Sequence, residues 1–176
     1  MKRSGTKYLF VTKVDLQQRD LDIDYIARHG NNTCMKYNSN RVVVRSKKLN
    51  ATAVIFKNGK MLCSGGRNRE EAKRIARSLA RIVQKLGNPK VEFTKFTVVN
   101  IVAIFDLKRV INLEKLAVRN PAISYESELQ PFAVFSFEKK TRLLFSTGKI
   151  LVHRGKTVSD MKRSVKKLIN DILIKI

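Results

Sequence analysis

Residues 50–66 read NATAVIFKNGKMLCSGG, two apolar runs separated by Asn-Gly at positions 58–59. Asn-Gly between such runs is a strong hairpin signal, because both residues tolerate the positive φ that a type I′ turn requires. The pattern returns as TRLLFSTGKILVHRG at residues 141–155, where Phe145 follows Phe56 by 89 positions. We therefore predict two copies of one structural unit.

An amphipathic helix pattern follows each hairpin. Apolar residues recur at i, i+4, i+7, i+8 and i+11, which places them on one face of a helix. In the first copy they are Ile75, Leu79, Ile82, Val83 and Leu86, and in the second they are Met161, Val165, Leu168, Ile169 and Ile172. The pairs Asn68 with Glu71 and Thr157 with Asp160 resemble capping boxes, which supply partners for N–H groups at a helix start.

The elements ahead of each hairpin repeat in the same order. The predicted elements are a strand at 8–16, a short helix at 20–28, a turn at 31–33 and a strand at 41–45, then a strand at 98–107, a short helix at 112–119, a loop at 125–129 and a strand at 130–137. This order predicts an α+β fold with a largely antiparallel sheet and helices on one face. The run at 98–107 is almost wholly apolar, so we expect it to be buried on both faces or covered by a ligand.

Length and charge narrow the function classes. The 176 residues are 43% hydrophobic, enough for a core, and carry a net charge of +23. A folded chain this basic indicates a polyanionic partner, most often nucleic acid, although solubility or genome composition alone would also produce such a charge. We expect a basic tail at 1–6, a first repeat at 7–90 and a second repeat at 91–176 within one compact domain.

The cysteines and the longest apolar runs bear on the compartment. Cys34 and Cys63 form neither a CxxC motif nor a disulfide framework, which fits a reducing compartment. No apolar run approaches the roughly 18 residues of a membrane span. No signal peptide is visible.

Residue patterns typical of catalysis or metal binding are not found. His29 and His153, the two histidines, have no carboxylate or cysteine at a catalytic or metal-binding spacing. We therefore expect no enzyme activity, no cofactor and no metal site. A basic stripe on the first long helix, opposite its apolar face, is either a solvated surface or a docking face for an acidic partner or nucleic acid. The stripe consists of Lys73, Arg77, Arg81 and Lys85.

Four stretches in the same order carry a resemblance to a known family. They are TAVIFKNGKMLCSGG at 52–66, ARIVQKLGNP at 80–89, VNIVAIFDL at 99–107 and YESEL at 125–129. With the two-copy layout, the chain resembles the TATA-box-binding protein (TBP) family from about residue 7 to 173. The resemblance implies a saddle in which two pseudo-symmetric halves share one curved antiparallel sheet, with helices on the convex face. It also implies that the concave face binds the widened minor groove, where phenylalanines wedge into base steps and kink the duplex.

The resemblance assigns DNA-facing positions individually. In the first copy they are Val11, Thr52, Val54, Phe56, Leu62 and Ser64, and in the second they are Asn100, Val102, Thr141, Leu143, Phe145 and Leu151. Phe56 and Phe145 match one wedge of each pair. The basic positions near the phosphates are Lys60, Arg67, Lys149 and Lys156. Alternation along the strand independently places Thr52, Val54 and Phe56 on one side.

Several positions depart from the family pattern. The other two wedges fall near Val42 and Gln130, neither a phenylalanine, and Phe132 is a possible substitute on the same face as Gln130. Leu9 stands where the central asparagine of the first half falls, and His153 replaces a small hydroxyl residue. These departures predict a bend smaller than the family's and leave the preference for a TATA sequence open.

The loop residues Glu126 and Glu128 resemble the family's contacts to transcription factor IIB. The resemblance therefore implies an initiation factor that binds and bends A·T-rich promoter DNA, recruits a IIB-like protein and works with the RNA polymerase initiation machinery. One alternative is a protein-interaction module that kept the saddle and lost sequence-specific bending. Another is the TBP-like substrate-binding domain of a nuclease or glycosylase, against which two complete copies and no attached catalytic region argue. The divergence suits a unicellular eukaryote, a reduced genome or a large DNA virus, and so the nucleus or a cytoplasmic virus factory.

Overall fold

The computed structural model describes residues 6–30, 33–35, 40–137 and 140–173, and describes their side chains except at 33–35, 136–137, 140–141 and 171–173. The helices are α1 (Ile23–His29), α2 (Arg69–Lys85), α3 (Leu113–Arg119) and α4 (Val158–Leu173). The strands are β1 (Lys7–Asp15), β2 (Thr33–Met35), β3 (Arg41–Ser46), β4 (Ala51–Phe56), β5 (Lys60–Ser64), β6 (Thr94–Asp106), β7 (Ile123–Ser124), β8 (Phe132–Phe137), β9 (Lys140–Phe145) and β10 (Lys149–Gly155).

The chain divides into two compact units with the same order of elements. The N-terminal unit is Leu9–Val99, and the C-terminal unit is Asn100–Ile176 together with the N-terminal residues up to Tyr8. Strands run in the order β2-β3-β4-β5-β1 in the first and β7-β8-β9-β10-β6 in the second. Paired strands within each unit are antiparallel. The predicted α+β class, the antiparallel pairing and the duplication of elements are confirmed.

Helix α2 covers one face of the sheet in the N-terminal unit. The sheet contributes Val14, Val44, Ala53, Ile55, Met61 and Cys63 to the apolar cluster, and α2 contributes Ile75, Leu79 and Val83. Fully burying one large aliphatic side chain contributes roughly 1.5–3 kcal/mol relative to exposure, so this face holds the unit together. Burial also raises the pKa of the Cys63 thiol to about 12, which makes it a structural rather than a reactive cysteine.

Helix α4 has the equivalent place in the C-terminal unit, with a buried arginine beneath it. Met161, Val165 and Leu168 of the predicted apolar face are buried, while the side chain of Ile172 lies outside the described residues. Arg142 of β9 is 1% exposed and donates from Nε and Nη2 to Ser164 Oγ at 2.9 and 2.6 Å. Its guanidinium also lies 5.3 Å from the centroid of the Phe135 ring. The hydrogen bonds join α4 to β9, and the ring contact joins β9 to β8.

Side chains cap the N-termini of the helices, but the capping residue is not always the one that the sequence predicts. Asn68 Oδ1 accepts a 2.8 Å bond from the Glu71 amide, as predicted for α2, but Glu71 Oε2 accepts from the Arg67 amide instead of closing a capping box on Asn68. The predicted start of α1 at Asp20 is wrong by three residues. Asp20 has a φ of +56°, and Asp22 is the N-cap.

The two hairpin tips adopt the same turn, which is not the predicted type I′. Gly59 has a φ of +78°, whereas Asn58 is not among the residues with positive φ. The Gly59 amide donates to the carbonyl of Phe56 at 2.9 Å, which is a turn ending in one left-handed residue. A Cβ on Gly59 would also collide with the carbonyl of Gln18, so glycine is required here for both conformation and space.

Strand β6 shows that an apolar run need not be buried on both faces. Ile101, Ala103 and Phe105 are buried, whereas Val102 is partly exposed and Ile104 is 40% exposed. The expectation of burial on both faces is therefore wrong for the protein alone. The short strands β2 and β7 were not predicted, and the predicted turn at 31–33 lies mostly outside the described residues.

Candidate nucleic-acid interface

The face of the N-terminal sheet opposite α2 is partly open. Along β4, buried side chains alternate with the partly exposed side chains of Thr52, Val54 and Phe56. Successive strand residues point to opposite faces, so the three share one side, as predicted.

Strand register extends this open face over neighbouring strands. Ser64 pairs with Thr52 on one side and with Val11 on the other, and Leu62 pairs with Val54. All five side chains are partly exposed. The first-copy residues taken from the resemblance therefore form one surface of aliphatic and small hydroxyl groups, with the aromatic ring of Phe56 at the tip.

The sequence analysis missed further residues of this surface. Val43 and Arg45 of β3 pair with open-face residues of β4, and Lys13 of β1 pairs with Leu62. The signal for the β3 residues is the alternation within 41–45, which becomes usable only when the register between β3 and β4 is known. Lys13 and Arg45 thus add cations to those predicted.

The C-terminal unit has a matching open row of aliphatic side chains. Leu143 pairs with Leu151 and with Val134, and Leu151 also pairs with Ile104. Leu143 and Leu151 were predicted, whereas Val134 and Ile104 were not. At the end of this row, the rings of Phe132 and Phe145 are register partners.

Asn100 and Val102 on β6 are both partly exposed. The side-chain oxygen of Asn100 is buried and has no hydrogen-bond partner among the described residues. An unsatisfied buried acceptor costs roughly 1–3 kcal/mol, and a ligand donor or an ordered water would remove that cost. Leu9, its expected counterpart in the first copy, is 42% exposed. The backbone of Thr141 lies in β9, but its side chain lies outside the described residues.

The four predicted basic residues lie near the ends of the hairpin strands. Lys60 and Lys149 begin β5 and β10, while Arg67 and Lys156 follow the ends of these strands. All four side chains are exposed. In the described part of the chain, ion pairs involve other lysines, so these four cations are available to phosphates. The ion pairs are Lys57 with Asp20, Lys95 with Asp15 and Lys108 with Asp106.

The described residues present no catalytic or metal-binding arrangement. His29 lies over Tyr25, with ring centroids 3.9 Å apart, and its Nδ1 is 3.1 Å from the Tyr25 carbonyl. His153 is a partly exposed residue of β10. No cluster of three or more His, Cys, Asp or Glu side chains occurs in this part of the chain. Within the same residues, no helix is long and apolar enough to cross a bilayer.

The predicted basic stripe of α2 is exposed, and one of its members has an aromatic contact. All four residues of the stripe are exposed. The Arg77 guanidinium lies 5.3 Å from the centroid of the Phe93 ring, and Arg69 lies 5.6 Å from that of Phe96. The stripe is on the helix side of the N-terminal unit, away from the open face.

Comparison with known proteins agrees with this geometry. The family model described as transcription factor TFIID, or TATA-binding protein, matches residues 10–86 and 95–175. The chain belongs to the TATA-binding protein family. It is 38% identical to the TATA-box-binding protein of Caenorhabditis elegans over 147 residues, 80% of this chain and 42% of that protein. It is 41% identical to TATA-box-binding protein 1 of Triticum aestivum over 152 residues, 83% of this chain and 64% of that one.

A solved TBP structure extends the match to the fold. The TBP of Methanococcus jannaschii is similar with a TM-score of 0.76 and 25% identity, over 95% of this chain and 97% of that one. This confirms the fold that the resemblance implied. The chain spans about two fifths of the length of the C. elegans relative. TBP family members are transcription factors, so the expectation that this chain is not an enzyme is also confirmed.

One expected position lies on the buried face of its strand. Val42 was predicted to stand near a missing wedge, but it is fully buried in the N-terminal core. The register partner of Phe56 is Arg41, which is partly exposed. Arg41 is therefore the residue beside Phe56 on the open face, one position before the one expected from sequence.

At the second position where a wedge was expected, the substitute considered from sequence pairs with Phe145. Gln130 precedes β8, and its backbone N–H donates to the backbone carbonyl of Glu126 at 3.1 Å. Phe132 begins β8 and is the register partner of Phe145, with ring centroids 5.6 Å apart and planes inclined by 59°. Phe132, rather than Gln130, forms the aromatic pair of the second copy.

The loop at 125–129 is an exposed turn ahead of β8. Glu126 and Glu128 are both exposed, and Leu129 is 77% exposed. The Glu126 carbonyl accepts from the amides of Leu129 and Gln130, both at 3.1 Å. The backbone bonds hold the turn and leave both carboxylates in solvent.

Proposed function

We propose that this chain is a TBP-like transcription initiation factor that binds A·T-rich promoter DNA through the minor groove and bends it. One observation carries the proposal: each unit has an open sheet face of aliphatic and phenylalanine side chains, with exposed cations close to the hairpin ends. The minor groove offers few sequence-specific groups, since A·T and T·A both present only acceptors there. A surface of this composition suits it, because apolar fit, duplex deformability and phosphate contacts then supply the binding energy.

The acidic loop at 125–129 has the composition of a protein-binding site. Glu126 and Glu128 are exposed carboxylates on a chain of net charge +23, so they form a local negative site on a basic protein. We propose that they bind basic groups of a transcription factor IIB-like protein, which recruits the RNA polymerase initiation machinery. A nuclear location accords with the eukaryotic relatives.

A binding titration at controlled salt tests the proposal. We expect tighter binding to an A·T-rich duplex than to a G·C-rich duplex of the same length, with the complex bent. Equal affinity for both duplexes, without bending, would instead favour a protein-interaction module with the TBP fold. Salt must be held constant in the comparison, because phosphate contacts make every affinity salt-dependent.

A further inference from the structure

The two units differ chemically at equivalent positions of their hairpin tips. In both units the glycine amide of the turn donates to the carbonyl of the tip phenylalanine at 2.9 Å, from Gly59 to Phe56 and from Gly148 to Phe145. The glycines have φ values of +78° and +79°. The two tips therefore have the same backbone, and their side chains can be compared position by position.

The residue beside the tip phenylalanine is a ring in one unit and a cation in the other. Phe145 has Phe132 as its register partner, whereas Phe56 has Arg41. In the described part of the chain, neither the ion pairs nor the arginine–ring contacts involve Arg41. The Arg41 guanidinium is thus available to a ligand on the open face.

The residues around the N-terminal tip add to this chemical difference between the two tips. On the open face of β3, Arg41 is followed by Val43 and the exposed Arg45. A hollow of about 420 Å³ next to Phe56 is lined mainly by polar and charged residues. They are Arg19, Asp20, Asn40, Lys57 and Asn58. Phe56 therefore lies among cations, amides and the Asp20 carboxylate, which pairs with Lys57, whereas Phe145 lies against a second ring.

A guanidinium and an aromatic ring make different contacts with a duplex. Apolar side chains wedge between base steps and kink DNA at the cost of unstacking, which is lowest at flexible pyrimidine–purine steps. A charged guanidinium loses its hydration in a base stack without gaining hydrogen-bond partners. In the narrow minor groove of an A-tract, by contrast, it meets acceptor atoms and a strengthened negative potential.

We infer that the two units bind DNA unequally: the Phe132–Phe145 pair kinks the duplex at a flexible step, and Arg41 binds an unkinked A·T minor groove at the other end. The inference rests on the proposed function, because it concerns the same DNA-binding face. It makes Arg41 a specificity-determining residue, because with Arg41 one flexible end is enough for tight binding, whereas a ring at this position would require two. A binding site with one flexible end has a direction, although the two units share one fold.

Four duplexes of equal length and composition test this inference. Each contains an A·T-rich site. The two-step duplex has a TA step at both ends of the site, the two one-step duplexes have it at the left or at the right end, and the fourth has none. An A-tract replaces each absent step. For the wild-type protein we expect the one-step duplexes to bind as tightly as the two-step duplex, and the duplex without a step to bind at least about fivefold more weakly, the lower end of what one base-pair position contributes. Arg41→Phe should prefer the two-step duplex over the one-step duplexes by a similar factor.

Two variants separate the role of Arg41 from general charge and folding effects. Arg45→Phe removes a cation of the open face and adds a ring on the same strand but away from the tip. It should weaken binding to all four duplexes by the same factor and leave the ratios between them unchanged. Arg41→Gln removes the charge without adding a ring. It should make the log–log salt slope shallower, because one cation fewer then displaces counterions from the duplex, and it should leave the one-step and two-step duplexes equally tightly bound.

The outcome separates this inference from the proposed function. A wild-type protein that gains as much as Arg41→Phe from the second TA step would overturn the inference while leaving minor-groove binding intact. An unchanged salt slope in Arg41→Gln would also contradict it. Binding that does not distinguish A·T-rich from G·C-rich duplexes would instead contradict the proposed function itself.

Discussion

The rings of Phe132 and Phe145 are register partners on β8 and β9, with centroids 5.6 Å apart and planes inclined by 59°. Both are partly exposed on the open face of the C-terminal unit. The pair presents two rings at one hairpin tip, and we propose that these rings kink the duplex. The N-terminal unit presents one ring, Phe56, next to Arg41.

Bending should depend more on the C-terminal tip than on the N-terminal tip. We expect Phe132→Ala and Phe145→Ala each to reduce both the bend and the affinity, because each removes half of the wedge. Phe56→Ala should have a smaller effect, and the wild-type bend should be below the roughly 80° known for this family. Energy transfer between dyes on the duplex ends would report the angle, and straight DNA in a tight wild-type complex would rule out wedging.

Gln130→Phe provides a matched control for the wedge. The position lies before β8 and Phe132 already pairs with Phe145. We therefore expect no increase in bending from the added ring. A larger bend in this variant would show that position 130, rather than 132, reaches the base steps.

Affinity should fall steeply with salt. Each phosphate neutralised contributes about −0.9 to the log–log slope, and we expect about four to eight such contacts. Lys60→Gln and Lys149→Gln should each make the slope shallower by about one contact, whereas Lys73→Gln, on the helix side of the N-terminal unit, should not. A slope that stays flat from about 50 to 200 mM salt would contradict DNA binding through this face.

The acidic loop should affect partner recruitment and not DNA affinity. We expect Glu126→Arg with Glu128→Arg to abolish recruitment of a IIB-like factor to the DNA complex, because placing like charges across an interface costs several kcal/mol. DNA affinity should change little. A mobility-shift titration of the factor would measure this, with Glu92→Arg, an exposed glutamate of the N-terminal unit, as the control. Unchanged recruitment by the double variant would remove the role proposed for the loop.

The tip glycines should be essential for stability. Gly59→Ala and Gly148→Ala each place a side chain at a positive φ and against a carbonyl, that of Gln18 or of Arg109. We expect a loss of about 1–3 kcal/mol in the free energy of unfolding for each, the usual cost of a non-glycine residue in this region. Urea unfolding would measure it. Gly30→Ala is the control, because the φ of Gly30 is −83°, and a similar loss there would argue against a conformational cause.

Much of the fold of this protein can be predicted from short-range patterns in its sequence. The alternation along β4 determined that Thr52, Val54 and Phe56 share a face, since successive strand residues point to opposite sides. The 3.6-residue period determined the buried faces of α2 and α4, and the 89-residue spacing revealed the two copies. These features depend on residues that are close in sequence or on a repeated pattern, so they can be predicted from a single sequence. The turn type was predicted less well, because Asn58 tolerates a positive φ but does not adopt it.

The partner of each tip phenylalanine was decided by tertiary structure. The register between β3 and β4 depends on the connection at 47–50. In this connection Asn50 has a φ of +45°, and its backbone N–H donates to the Lys47 carbonyl at 3.1 Å. A shift of one residue in register moves every side chain of a strand to the other face. The family resemblance placed a wedge position near Val42, whereas the folded sheet buries Val42 and places Arg41 beside Phe56. Register depends on the packing of the whole unit, so only the tertiary structure could show that one tip carries two rings and the other a ring and a cation.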